Sequence, residues 1–300
     1  MNILVSGLLN VETTVSVRGF PINYYPIDYP FFGINSNVSG VGFNIAKALT
    51  ILGDNVDLFS FLGKDYEAAR ILQQLDNDNI RTENIHQCLK NTPVSTVLFD
   101  PEGRRQIYCD LKDIQEQMIN PDESGLISER YDLAVLCNIN FNRRLIAAAR
   151  QKGKLTATDV HVLSDVHDEY NRDFMSNADI LFLSDEKIPG KPEEFIKELY
   201  HCYHNSIIVI GMGAKGAMLH DAEKGEAVVI PAYSTGKIVN TIGAGDALFS
   251  AFLHFYTKDS DAESALRKAV VFAGIKIGYN GASVGFCKEN DIESVINQKS

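Results

Sequence analysis

Residues 240–256 read NTIGAGDALFSAFLHFY. Three small residues, Gly243, Ala244 and Gly245, stand immediately before a strongly apolar helical run. A helix start exposes unpaired backbone N–H groups and the positive end of the helix dipole. Small residues let an anion approach those donors closely, which makes an anion hole suited to a transferring phosphoryl group. Asp246 lies at the same helix start. A carboxylate there is placed to take the proton of an alcohol while the hole stabilises developing charge. The helix N-terminus is expected to lower the pKa of Asp246 and keep it ionised. The spacing alone also fits a plain glycine-rich turn with an acidic residue in the first helical turn.

On the N-terminal side of this segment, short apolar runs alternate with helix-period stretches. Residues 3–6, 56–62, 133–136, 155–158, 180–183 and 207–210 read as buried strands. Residues 43–52 carry apolar side chains at 45, 48, 49 and 52, and Gly53 follows as a C-terminal cap. Stretches at 67–75, near 142–152 and near 193–200 are also helical. This alternation predicts an α/β domain with a largely parallel sheet covered on both faces. There is no internal repeat and no low-complexity segment, so residues 1–300 read as one domain.

Two stretches break the alternation. Residues 11–36 hold the alternating Thr13, Val15 and Val17, then FPINYYPIDYPFF, whose prolines exclude a helix. Residues 93–110 read as a hairpin, with strands at 94–99 and 104–108 about an Asp100-Pro101-Glu102-Gly103 turn. Both are expected to be strands of a small β-sheet lid over the site.

Ser39-Gly40-Val41-Gly42-Phe43-Asn44 opens another helix. Its glycines allow close approach of the backbone, and an Asn amide can donate to and accept from a hydroxyl, which suits a polyol. An Asn capping a helix start fits the same residues. Gly211-Met212-Gly213-Ala214-Lys215-Gly216 matches GxGxxG after a strand, but AMLHDAEKGEAVVI then reads as a hairpin rather than a helix. A dinucleotide fingerprint is therefore rejected, while a loop covering a nucleotide is retained. No GxxxxGK[ST], HExxH or GxSxG occurs, and His201 and His204 read as a solvated helix face.

Composition narrows the class further. The chain has 28 Lys and Arg against 39 Asp and Glu, a net charge of −11, which argues against a nucleic-acid partner. No apolar run approaches the ~18 residues of a membrane span, so no membrane partner is expected. The start MNILVSGLLN lacks a basic signal region, and the reading is cytoplasmic. Five cysteines without a CxxC pair argue against a disulfide framework or a Cys-rich zinc site.

Together these segments resemble the ribokinase (PfkB) family of sugar and nucleoside kinases. Residues 240–246 look like its C-terminal signature DTxGAGD, and 40–44 are similar to its N-terminal glycine–asparagine motif. Gly63-Lys64-Asp65 and the 211–216 loop fall in the expected order. The resemblance implies a doubly wound, mostly parallel sheet with helices on both faces and a β-sheet lid. It implies transfer of the ATP γ-phosphoryl group to a substrate hydroxyl with Mg²⁺. Carried over by motif, Asp246 is the base and Gly243, Ala244 and Gly245 the anion hole. Glu12, Gly40, Asn44 and Asp246 meet the acceptor, while Gly211, Gly213, Gly216, Asn240 and Thr241 lie along ATP. The lid strands close over the acceptor and can pair with a second subunit in a homodimer.

Departures from the family pattern are visible. Glu12 stands where an Asp is usual, and Ser39 replaces the first glycine of the N-terminal motif. The NxxE segment linked to Mg²⁺ is replaced by Ser184-Asp185-Glu186, leaving Asp185 or Glu186 to act on the metal through water. Asn240 and Ile242 replace signature residues beside the family's monovalent-cation site, so dependence on such a cation is open. Asp159-Val160-His161 stands where many members carry Asp-Pro-Asn.

A sugar is the family default as acceptor. A nucleoside is the alternative, with Tyr24, Tyr25, Tyr29, Phe31 and Phe32 available to stack on a base. A non-catalytic sensor on the same fold is the competing class, and the intact Asp246 argues against it. Arg104-Arg105 on the lid hairpin is a basic pair suited to a phosphate already on the acceptor, or to a solvated hairpin.

Overall fold

The apolar runs and helix-period stretches become strands and helices in the predicted order. The structure, a computed structural model, describes residues 1–225, 227–234, 236 and 238–297. Strands β1 (Asn2–Ser6), β2 (Asn10–Ser16) and β3 (Ile34–Ser39) lead to helix α1 (Val41–Leu52). Then come β4 (Asn55–Leu62), α2 (Tyr66–Asn77), β5 (Ile85–Gln87), β6 (Val94–Phe99) and β7 (Arg105–Asp110). The middle of the chain forms α3 (Pro121–Ser124), β8 (Leu133–Leu136), α4 (Arg143–Gln151), β9 (Leu155–Val162), α5 (Arg172–Asn177) and β10 (Ile180–Ser184). It continues with α6 (Pro192–Tyr203), β11 (Ile207–Gly211), β12 (Ala217–Asp221) and β13 (Ala227–Ile230). Helices α7 (Ala244–Asp259), α8 (Ala262–Lys276) and α9 (Glu289–Asn297) close the described chain.

The main sheet has nine strands in the order β13-β12-β11-β10-β9-β8-β1-β4-β5. It is parallel from β11 to β5, with β12 and β13 antiparallel at one edge. The chain winds outward from β1 in both directions, so the strand order reverses beside β1. Such a reversal opens a crevice at the carboxyl ends of the strands, where ligands of open α/β sheets bind.

Strand alternation builds a core on each face. Ile3, Val5, Ile180, Phe182, Ile207 and Val209 join α1, α2, α7, α8 and α9 in one cluster. Leu4, Leu181, Leu183, Ile208 and Ile210 point the other way, onto α4, α5 and α6. Both faces of a parallel strand are thus apolar, which is why these segments read as continuous hydrophobic runs. Gly53 caps α1 in the left-handed conformation at φ 103°, as its position predicted.

Asp65 anchors α2. Its Oδ1 accepts from the Ala68 N–H at 3.0 Å and the Thr92 hydroxyl at 2.6 Å, and its Oδ2 from the Thr92 N–H at 2.7 Å. Asp65→Ala removes the cap and leaves the Thr92 groups unpaired. It should cost about 1–2 kcal/mol, read as a lower midpoint in denaturant.

The second sheet has the order β3-β2-β6-β7. The hairpin turns at Asp100–Gly103 as predicted, with Gly103 N–H donating to the Asp100 carbonyl at 3.0 Å. Its second strand begins at Arg105 rather than Arg104. The proline-rich stretch corrects the other lid expectation. Residues 17–33 form no strand, and Tyr24, Tyr29, Phe31 and Phe32 are exposed on an irregular loop. Repeated prolines remove the ladder donors a strand needs. All five cysteines are free, and among the described residues no helix is long and apolar enough to cross a membrane.

Candidate active site

Two helix starts, distant in sequence, meet at one carboxylate. Asn44, in the first turn of α1, donates from Nδ2 to Asp246 Oδ2 in the first turn of α7, at 2.7 Å. Gly40 permits the α1 entry: it has φ 103°, and a Cβ there would strike the Leu8 carbonyl. Gly243 does the same for α7. It has φ 75°, and a Cβ would lie under 3.0 Å from three backbone atoms of Ala282.

The lid supplies the opposite wall. Asn10 and Glu12 share one face of β2, and both are buried. The Ser39 hydroxyl donates to Glu12 Oε2 at 3.4 Å and lies 3.5 Å from Asn44 Oδ1. Asn10 Nδ2 donates to the Ser95 hydroxyl at 3.0 Å. Glu12 Oε1 and Asn10 Oδ1 are buried acceptors without a partner among the described residues. Buried acceptors of this kind call for a donor from a ligand or water. Burial pushes the Glu12 carboxyl above its usual range, and nearby Asp246 pushes it further.

The expected pKa of Asp246 is corrected. Burial raises it, outweighing the attraction of His161, the hydrogen bond from Asn44 and the charge of Lys276. A proton acceptor with a raised pKa is the stronger base once ionised.

At the head of α7, the Ala244 N–H is already taken by the Thr241 carbonyl at 3.2 Å. The N–H groups of Gly243, Gly245 and Asp246 carry no protein partner among the described residues. Of the three residues expected to form the hole, Gly243 and Gly245 have N–H groups free of such partners and Ala244 does not. Nothing lies within 4 Å of a Cβ built on Gly245, so the helix mouth is open. Asn240 is turned inward: its Oδ1 accepts from the Ile242 N–H at 3.1 Å, and its Nδ2 donates to Asn280 Oδ1 at 2.7 Å. It shapes the turn. Thr241 is exposed and is met by Arg105, which donates to its carbonyl at 3.3 Å and its hydroxyl at 3.4 Å.

The basic pair of the hairpin divides. Arg104 pairs with Asp100 at 2.7 Å inside its own turn. Arg105 spans from the lid to the signature turn and to Glu186 at 3.7 Å. Asp185 and Glu186 follow β10, whose Ser184 pairs with Gly211 of β11. Gly211 also lies against Leu248 of α7, the helix that carries Asp246. Gly213 and Gly216 stand in the turn that leads to β12. Among the described residues no cluster of three His, Cys, Asp or Glu could cage a metal. Asp185 and Glu186 fit Mg²⁺ in its usual enzyme setting, a carboxylate or two plus the phosphates of the substrate.

Two cations that act on Asp246 were not among the expected site residues. His161, the last residue but one of β9, has φ 61°, and its ring lies 3.5 Å from the buried Asp159. Burial opposes its charge, but Asp159 and Asp246 push its pKa up to about 9. Lys276 is fully buried, and its Nζ donates to the Ile242 carbonyl. Its signal was a lone cation in the apolar run VVFAGIKIG.

Known proteins share this sequence pattern and fold. The model of the pfkB family carbohydrate kinases matches residues 31–288. A deoxyribokinase of Salmonella typhi is 35% identical over 301 residues, covering 95% of this chain and 95% of that protein. A ribokinase of Dictyostelium discoideum is 24% identical over 324 residues, covering 97% and 99%. The solved structure of the microbiome-derived acarbose kinase Mak1 has the same fold, with a TM-score of 0.86 over 99% of this chain and 98% of that one at 23% identity. The chain belongs to the pfkB family of carbohydrate kinases, which places it among ATP-dependent phosphotransferases with an alcohol group of a sugar or nucleoside as acceptor.

Proposed function

We propose that the protein phosphorylates a hydroxyl of a pentose, with 2-deoxyribose first among the candidates. The observation that carries this is the Asn44–Asp246 hydrogen bond beside the unpartnered Glu12 Oε1 and Asn10 Oδ1. It sets a base next to two buried acceptors that a sugar's hydroxyls would satisfy. The relation to deoxyribokinase over 95% of the chain supports the pentose and orders the candidates.

In the transfer, the acceptor hydroxyl oxygen bonds to the γ-phosphorus as the bond from that phosphorus to the β,γ-bridging oxygen breaks. The hydroxyl proton passes to Asp246, and ADP leaves with the electron pair. The N–H groups of Gly243, Gly245 and Asp246 stabilise the transferring charge without reorganisation. Asp185 and Glu186 would hold Mg²⁺ through water, and the ion supplies charge neutralisation along the phosphates. Lid residues Glu12 and Asn10 orient the sugar and keep water from competing as acceptor.

Asn44→Ala tests the orientation of the base. Because the Asn44 hydrogen bond lowers the Asp246 pKa, its loss moves the acid limb of the kcat profile to higher pH. It should also lower kcat by about 10–100-fold. An unshifted profile would show that Asn44 does not act on the base.

The function itself is tested by ATP consumption with Mg²⁺ across pentoses, hexoses, phosphosugars and nucleosides. Turnover concentrated on pentoses supports the proposal. Turnover confined to nucleosides replaces it with the nucleoside reading. Ligand binding without turnover on any acceptor transfers the assignment to a sensor.

A further inference from the structure

Lys276 is fully buried, and among the described residues its ammonium makes one hydrogen bond, to a backbone carbonyl. No carboxylate lies within ion-pair distance of its ammonium among the described residues. A charge taken out of water on such terms is unfavourable for the fold, and burial pulls its pKa down to about 8. Asp246 and Glu12 attract the ammonium from further away and Arg105 repels it, so its field reaches the transfer site.

The carbonyl is the informative part. The C=O of Ile242 and the N–H of Gly243 belong to one peptide unit. In a planar trans peptide they point in opposite directions. A cation on the C=O therefore fixes the direction of the N–H and polarises it, strengthening it as a donor. Asn240 holds the preceding peptide through the Ile242 N–H. Gly243 N–H is one of the open donors at the head of α7.

We propose that Lys276 is a positioning residue for phosphoryl transfer: its tethered ammonium holds the Ile242 carbonyl so that the Gly243 N–H faces the transferring group. The inference rests on the kinase reading for its kinetic consequence. It follows that the turn carries its own cation and needs none from solution.

The test compares wild type, Lys276→Met and Lys276→Ala in KCl, ammonium chloride, ethylammonium chloride and tetramethylammonium chloride at equal ionic strength. Wild-type kcat is expected to be the same in all four salts. Lys276→Met keeps the apolar stem without the charge, so it should fold with an unchanged or higher Tm and lose about 100-fold in kcat. Lys276→Ala leaves room for a small cation, and ethylammonium or ammonium should restore at least about 10-fold of its activity. Wild type activated by K⁺, Lys276→Met with wild-type kcat, or a folded Lys276→Ala that no cation rescues would each overturn the proposal. A variant that does not fold leaves the wild-type salt comparison to decide. Should wild type turn over no acceptor, the kinase reading fails separately. Thermal shift then decides for Lys276: wild-type Tm should be indifferent to the cation, and Lys276→Ala should gain Tm with ethylammonium. A wild-type Tm raised by K⁺, or a Lys276→Ala Tm that ethylammonium leaves unchanged, overturns the proposal.

Discussion

Asp246→Asn should abolish phosphorylation of every acceptor that wild type accepts, with kcat falling by about 10³–10⁴-fold, the upper part of the range for a general base. The KM of the acceptor should change little, because the amide oxygen of the variant side chain can still accept from Asn44 and the lid contacts are untouched. Stability should move the other way. Burial holds the Asp246 carboxyl above its ordinary pKa. A carboxyl whose pKa is raised by folding favours the native state below its unfolded pKa, and that contribution is lost as pH rises through the folded value. As pH rises the wild type therefore carries a growing share of the penalty of an ionised buried group. The amide variant does not, so its Tm should exceed that of wild type by more at pH 7 than at pH 4. Glu12 should titrate lower in the variant, since Asp246 is one of the two influences that raise it. A variant that keeps wild-type kcat would remove Asp246 as the base. Lost activity with a Tm that falls at pH 7 would instead mark a structural role.

Gly243→Ala should be nearly as damaging, and through the backbone. The residue sits at φ 75°, which costs a β-carbon-bearing residue about 1–2 kcal/mol. The new methyl would also press on the Ala282 backbone, which is not a flexible side-chain end and cannot yield cheaply. The turn must shift, and with it the Gly243 N–H and the carbonyl that holds Lys276. We expect kcat to fall by about 10²–10³-fold, the usual effect of losing one such donor, together with a lower Tm. Gly245→Ala is the matched control. Nothing lies within 4 Å of its added Cβ, so the fold should keep its Tm. The methyl enters the open helix mouth and should raise the KM for ATP. Equal Tm losses in the two variants would mean that the turn is not held by the Ala282 contact.

Much of the fold was legible along the chain because its signals are local. Residues 43–52 declared a helix by apolar spacing and a terminal glycine, and the structure ends that helix at Gly53 in the left-handed conformation. The hairpin after 211–216 was readable from its glycines and alternation, and it removed the dinucleotide fold that the motif alone suggested. The 17–33 stretch was misread because prolines exclude a helix without requiring a strand. What they left there is an irregular loop.

The site was legible in part. Asp246, Asn44 and Glu12 converge as their motifs implied. Asn240 and Ala244 were placed toward the ligand by motif position, yet their polar groups are used within the turn. Which way a peptide or side chain faces in a tight turn depends on the neighbours that close it, here Asn280 and Thr241.

The sequence by itself determined the glycine turn, the carboxylate that follows it at a helix start and the α/β order of the chain, because helix starts, turn residues and apolar periods are properties of short segments. Only the tertiary structure decided that Asp246 titrates high rather than low, that Asn44 holds it from 202 positions away, and that Lys276 reaches the Ile242 carbonyl in the turn before it. Burial and electrostatic fields are sums over whatever folding brings near, and those neighbours are not neighbours in the chain.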